Sequence, residues 1–171
     1  MNLSEKTKQA ILDLQKLYPE SRSALIPALH IAQNEAGYLP QAIQQEVAAL
    51  FDIDLNEVHA IVTFYDMFFE KPVGKHILHI CKNISCMLHQ SDALLAKACT
   101  FLQIKPGQTT EDGEFTVIAS ECLAACDRAP AMLVDDILIG PVEETALEKV
   151  LQEAKKSKGH PSPITVEEIY G

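Results

Sequence analysis

Four of the five cysteines fall in two short pairs, Cys81-x4-Cys86 and Cys122-x3-Cys126. Thiols so spaced can hold a metal centre, close disulfides or run thiol redox chemistry. Thioredoxin-type redox chemistry uses Cys-x2-Cys, and that spacing does not occur. Zinc favours Cys-x2-4-Cys knuckles and takes four thiolates as a tetrahedron. A 2Fe–2S cluster also takes four thiolates, and its wider core tolerates longer, looser spacings. On spacing alone iron–sulfur leads and zinc stays open. An oxidised 2Fe–2S centre with four thiolates carries a net charge of about −2, so it calls for N–H groups and cations around it. Lys82, Asn83, Ser85 and Arg128 lie within the two loops. Cys86 is expected to open a helix, whose N-terminus favours an anion.

Other chemistry-bearing residues have plainer readings. Cys99 follows Leu95 by four and reads as a buried structural thiol on a helix's apolar face. His79 and His89 flank the first pair, but a Rieske centre needs Cys-x-His with Cys-x2-His, and the first half is reversed here. Both read as structural or supporting residues. His30 and His59 lack a carboxylate or cysteine at ligand spacing and read as packing or surface residues. Phe64, Tyr65, Phe68 and Phe69 form an aromatic cluster, read as core, with docking as the second reading. Glu111, Asp112 and Glu114 read as a solvated loop.

The elements that must position these residues come from patterning. The chain has 171 residues, 47% of them apolar and 22% charged, within the globular range. A chain of this length buries roughly 70% of its unfolded surface on folding and needs no disulfides. With 14 basic against 24 acidic residues it is a poor partner for nucleic acid or anionic lipid. The longest apolar run, Val47–Phe51, has five residues, against the ~18 a membrane helix needs. The opening MNLSEKTKQAILDLQKL mixes charges without a compact apolar core, unlike a secretory signal, and no Arg precedes Arg22, unlike a mitochondrial leader. A cytoplasmic, reducing setting is therefore expected, where disulfides are improbable.

Residues 1–72 pattern as helices. Ile11, Leu14, Leu17 and Tyr18 mark the first, stopped by Pro19, and Leu25, Ala28, Leu29, Ala32 and Ala36 the second, ended by Gly37. Ile43, Val47, Leu50 and Phe51 mark the third. Asp54 caps the fourth, with Glu57 placed for a capping box and Leu55, Val58, Val62, Tyr65 and Phe69 beneath. Residues 73–155 change pattern. A strand at 75–80 is followed by a helix carrying Leu88, Leu95, Ala98 and Leu102, then a strand at Phe115–Ala119. A hairpin of Met132–Val134 and Ile137–Ile139 turns at Asp135-Asp136, and a last helix carries Leu147, Val150 and Leu151. Residues 156–171 read as a loose tail. The succession β-α-β-β-β-α, with a parallel right-handed crossover and an antiparallel hairpin, is the thioredoxin layout. The expected class is therefore α/β (α+β), a helical bundle followed by a thioredoxin-like domain. Cys81 and Cys122 each fall just past a strand's end, so parallel strands would make four thiolates converge on one point.

The stretches CKNISCMLHQSDALL and ASECLAACDRAPAMLVDD resemble the thioredoxin-like 2Fe–2S subunit of NADH–quinone oxidoreductase, the E subunit of bacterial complex I. YPESRSALIPALHIAQNEAGYLP and VHAIVTFYDMFFEKPVGKH resemble that family's N-terminal part, so the likeness runs from about Tyr18 to Leu151. The resemblance implies that Cys81, Cys86, Cys122 and Cys126 hold one 2Fe–2S cluster. It also implies a place in the cytoplasmic peripheral arm of a membrane-bound complex. Two departures stand out. The family's second motif has Gly where this chain has Ala124, and relatives show Asn and Tyr near Asp135-Asp136-Ile137-Leu138. If that Gly supplies positive φ, Ala124 costs about 1 kcal/mol.

The sequence has no Gly-x-Gly-x-x-Gly after a strand and no Gly-rich phosphate loop, so NADH and FMN are expected in a partner. The expected function is one-electron carriage through a 2Fe–2S cluster, exchanging with the flavin of an NADH-binding partner subunit. A neighbouring iron–sulfur subunit is a further expected contact, and no membrane insertion is expected. The helical region is the expected clamp for the flavoprotein. The alternatives are the equivalent subunit of an NAD-linked hydrogenase or formate dehydrogenase, and a zinc-stabilised interaction module without redox chemistry.

Overall fold

The computed structural model describes residues 2–157 and 159, so the expected tail 156–171 falls almost wholly outside the described residues. The chain divides into two units with the boundary between Pro72 and Val73. In the first, Ser4 caps α1 (Glu5–Gln15), its hydroxyl accepting the Thr7 N–H at 3.2 Å. A 3-10 turn at Ser21–Ala24 leads into α2 (Leu25–Ala36), which ends on Gly37 at φ 79. Gly37 takes that left-handed value without a Cβ penalty, as the sequence predicts. Then follow α3 (Gln41–Phe51) and α4 (Leu55–Phe64). Their apolar stripes close on one another in a single core that includes Ile11, Leu14, Leu29, Ile43, Val47, Val58 and Phe68.

Three local expectations for this unit change. Leu17 is 54% exposed, because α1 stops at Gln15 and the turn after it carries Leu17 off the stripe. Asp54 does cap α4, accepting the Asn56 N–H at 2.8 Å, but Glu57 pairs with Arg22 instead of closing a capping box. The aromatic cluster splits: Phe68 is buried against His30, with ring centroids 4.8 Å apart, while Phe64 is 75% exposed.

The second unit is built on a four-stranded sheet. β1 (His76–Cys81) is followed by α5 (Ile84–Leu88), α6 (Ser91–Leu102) and β2 (Phe115–Ser120). β3 (Met132–Val134) and β4 (Ile137–Ile139) form the hairpin, and α7 (Leu147–Ala154) closes the unit. The strand order is β2-β1-β3-β4, with β1 parallel to β2 and antiparallel to β3. Leu78, Ile80, Val117 and Met132 pack with Leu94 and Ala98 of α6 and Leu147 and Leu151 of α7. The single helix expected from Leu88 onward is two helices, broken at Gln90 (φ 66), and the break leaves Leu88 73% exposed.

The hairpin turn is a two-residue one with positive φ at both Asp135 (50) and Asp136 (67), the type I′ pattern. Tertiary contacts hold it. His76 Nδ1–H donates to Asp135 Oδ2 at 2.6 Å, the Ile77 N–H donates to Asp135 Oδ1 at 2.9 Å, and all three groups are buried. This clamp joins residues 59 apart, and the local turn signal does not show it. Asp135→Ala would strand a buried imidazole N–H and a backbone N–H, at a cost of about 3 kcal/mol. Asp135→Asn, which still offers an acceptor, is expected to lose less. Urea denaturation of the metal-free chain measures both, and an Asp135→Ala loss below about 1 kcal/mol would show the clamp to be dispensable.

Candidate metal centre

Because β1 and β2 run parallel in register, with Cys81 opposite Ser120, their carboxyl ends share one edge of the sheet. Cys81 is the last residue of β1, one place earlier than expected for a loop position. Its N–H donates to the Ala131 carbonyl at 3.1 Å, and the Lys82 N–H donates to Ser120 at 2.9 Å, so pairing continues through it. Asn83 then caps α5, its side chain accepting the Ile84 N–H at 2.9 Å. Cys86 is consequently the third residue of a one-turn helix and does not open it as expected.

The second loop leaves β2 through Cys122. Ala124 stands at φ 56, and its N–H donates to the Cys122 sulfur at 3.4 Å. Ala125 is buried with Cys81, Cys86 and Ala131. Cys126 opens a 3-10 turn (Cys126–Arg128) held by the Arg128 N–H on the Ala125 carbonyl at 3.0 Å. Gly140 passes so close to the Arg128 carbonyl that a Cβ there would collide with it.

The four thiols are free and lie close together: Cys86 feels both Cys81 and Cys126, and Cys126 feels both Cys122 and Cys81. Cys81 and Cys86 are buried, and Cys122 and Cys126 are exposed. Burial pushes the Cys86 thiol above its ordinary value, opposed by a hydrogen bond from the Ala131 backbone and reinforced by Cys81. The Cys126 thiol is raised first by its hydrogen bond with Cys122 and then by that neighbour's charge, while Ser85 acts the other way. Among the described residues, no three His, Cys, Asp or Glu gather so as to hold one metal ion. The two cysteine loops nevertheless meet at this edge, joined by the Ser85 hydroxyl donating to the Cys126 carbonyl at 3.4 Å. One donor suited to an anionic centre is in place: the Ala124 N–H is directed at the Cys122 sulfur.

Of the polar residues expected around the centre, Ser85 donates to the Cys126 carbonyl and the others engage elsewhere. Lys82 pairs with Glu121 at 3.0 Å, Asn83 serves as the helix cap, and Arg128 lies 3.9 Å from Asp127. The Ala124 N–H is the donor a reading of side chains misses. His79 Nδ1 shares a hydrogen bond with Ser120 Oγ at 2.8 Å, and His89 Nδ1–H donates to the Ser85 carbonyl at 2.8 Å. These contacts link β1 to β2 and close the end of α5. Cys99 is half-buried against the sheet core, and burial raises its thiol. His59, expected to lack a carboxylate, lies 3.3 Å from Glu70 and also contacts Gln44.

Residues 11–155 match the thioredoxin-like [2Fe-2S] ferredoxin family. The chain belongs to this family. A 2Fe–2S cluster is accordingly its cofactor, and the four thiols and the Ala124 N–H fit one. Among similar proteins, an E subunit of NADH-quinone oxidoreductase from Rhizobium meliloti is 44% identical over 79% of this chain and 80% of its own length. The E subunit of NADH-quinone oxidoreductase from Escherichia coli is 33% identical over 90% of this chain and 92% of its own. The fold also matches a solved chain of an NAD+-reducing [NiFe]-hydrogenase in the air-oxidized state. The TM-score is 0.66 at 24% identity, covering 77% of this chain and 23% of that one. A glycine at position 124 would sit at φ 56 freely, whereas Ala there is strained. Ala124→Gly is therefore expected to stabilise the metal-free chain by about 0.5–1 kcal/mol, net of the added freedom of the unfolded chain. Calorimetry checks this, and a lowered melting temperature would contradict it.

Proposed function

We propose that Cys81, Cys86, Cys122 and Cys126 hold the 2Fe–2S cluster, and that the chain carries single electrons between it and the flavin of an NADH-binding partner in an NADH–quinone oxidoreductase. The observation that carries the reading is the meeting of two cysteine loops at one edge of a parallel strand pair, with the Ala124 N–H aimed at the Cys122 sulfur. When bound, the cluster takes up and releases one electron at a time. The chain supplies the rest. Cys81 and Cys86 lie on the buried side, and exposed Cys122 and Cys126 give the short route to a partner. Next to them α5 leaves Ile84, Met87 and Leu88 exposed, an apolar surface suited to a docked protein. The relatives' names support NADH–quinone oxidoreductase over an NAD-linked hydrogenase, for which the solved structures supply likeness of fold. None of the described helices is long and apolar enough to cross a membrane. A place in the peripheral arm follows from this reading.

The test is iron and acid-labile sulfide analysis of anaerobically purified protein, with EPR after dithionite reduction. The expected result is two irons and two sulfides per chain, about as many as the four thiolates of such a cluster hold, and an S = 1/2 signal. Replacing any one of the four cysteines by Ser should lose or alter the signal, whereas Cys99→Ser should leave it unchanged. One zinc without sulfide would sink the proposal.

Docking is separable from loading. Leu88→Glu, beside the cysteines, and Phe64→Glu, in the helical unit, are each expected to weaken capture by the co-expressed flavoprotein at least about tenfold, as loss of an apolar anchor does. The EPR signal should persist in both. Undiminished capture by either variant would remove that surface from the interface.

A further inference from the structure

We propose that Ala124 is a positioning residue, whose left-handed backbone aims its N–H at the Cys122 sulfur and thereby sets how readily the cluster accepts an electron. The inference rests on the assignment of Cys122 as a ligand.

Six described non-glycine residues have positive φ. Asp52 and Gln103 end helices, Gln90 joins α5 to α6, and Asp135 and Asp136 make the hairpin turn. Ala124 does none of these things, and its exposed methyl has no packing demand that would explain the strain. Its N–H, however, donates to Cys122 at 3.4 Å. The chain on its far side is anchored: Ala125 is buried beside Cys81 and Cys86, and its carbonyl accepts the Arg128 N–H. Turning Ala124 to a right-handed φ would therefore either swing its N–H off the sulfur or pull Ala125 from its site. The strained backbone and the hydrogen bond are one device. Cys122 is also an exposed sulfur, so burial does not determine its surroundings in the way it does for Cys81 and Cys86. A donor at a thiolate favours the more negative, reduced state, and hydrogen bonds to sulfur are among the factors that set such potentials.

The test uses the full chain loaded with iron and sulfide. With 15N-alanine labelling, pulsed EPR of the reduced wild type should show a 15N coupling from Ala124. It should vanish in Ala124→Gly, which keeps the N–H but carries no label, and that variant should hold the wild-type midpoint potential. Ala124→Val, whose branched side chain opposes positive φ, should lower the potential. An unchanged 15N pattern in Ala124→Gly would overturn the proposal. So would a wild-type potential in an Ala124→Val protein that melts at a lower temperature, since that would make the strain purely structural. If Ala124→Val loads no iron, the 15N comparison alone decides. Failure of the wild type itself to load would instead refute the ligand assignment.

Discussion

Parallel pairing of β1 with β2 is the constraint on which the rest of the second unit depends. In a parallel pair both carboxyl ends lie on the same edge, and the register of Cys81 on Ser120 brings the exits of the two strands level. Each exit carries one cysteine pair. Had β2 run antiparallel to β1, the second pair would lie a full strand length from the first, and four thiols could not share a cluster. The crossover through α5 and α6 is the price of that alignment, since parallel strands cannot be joined by a tight turn.

The two ends of β1 are secured differently. At its start, His76 and Ile77 hold the β3–β4 turn through Asp135, a buried carboxylate with both oxygens engaged. At its end, the Cys81 N–H is taken by the Ala131 carbonyl. The short strand β3 is thus tied at one end by the Asp135 clamp and at the other by the cysteine that ends β1. The cysteine edge inherits its rigidity from the sheet. The loops themselves contain one-turn helices and a strained residue, which alone would hold four sulfurs poorly.

Asymmetry of burial gives the site a direction. Two thiols face the interior with Ala125 and Ala131, and two face solvent. The buried pair fixes the centre in the fold, and the exposed pair presents it to whatever docks. The donor to sulfur comes from the backbone at Ala124, where it needs no charged side chain. That suits an edge whose neighbouring surface, Ile84, Met87 and Leu88, is apolar.

Much of this was legible in the sequence because it rests on local rules. Gly37 ends its helix, the succession of four strands follows from apolar periodicity, and Asp135-Asp136 turns the hairpin between the strands expected. The cysteine spacing, with the motifs around it, was enough to raise an iron–sulfur centre above the alternatives. Tertiary structure decided what depends on groups distant in sequence or on the backbone. Glu70 reaching His59, Asp135 reaching His76, and Glu57 turning to Arg22 instead of to its own helix are contacts that no spacing rule encodes. The placement of the thiols follows from where Asn83 caps α5 and where Ala125 buries its methyl. The donor to sulfur is a main-chain N–H group, present at every residue but proline. Only the fold determines which of them faces a thiol.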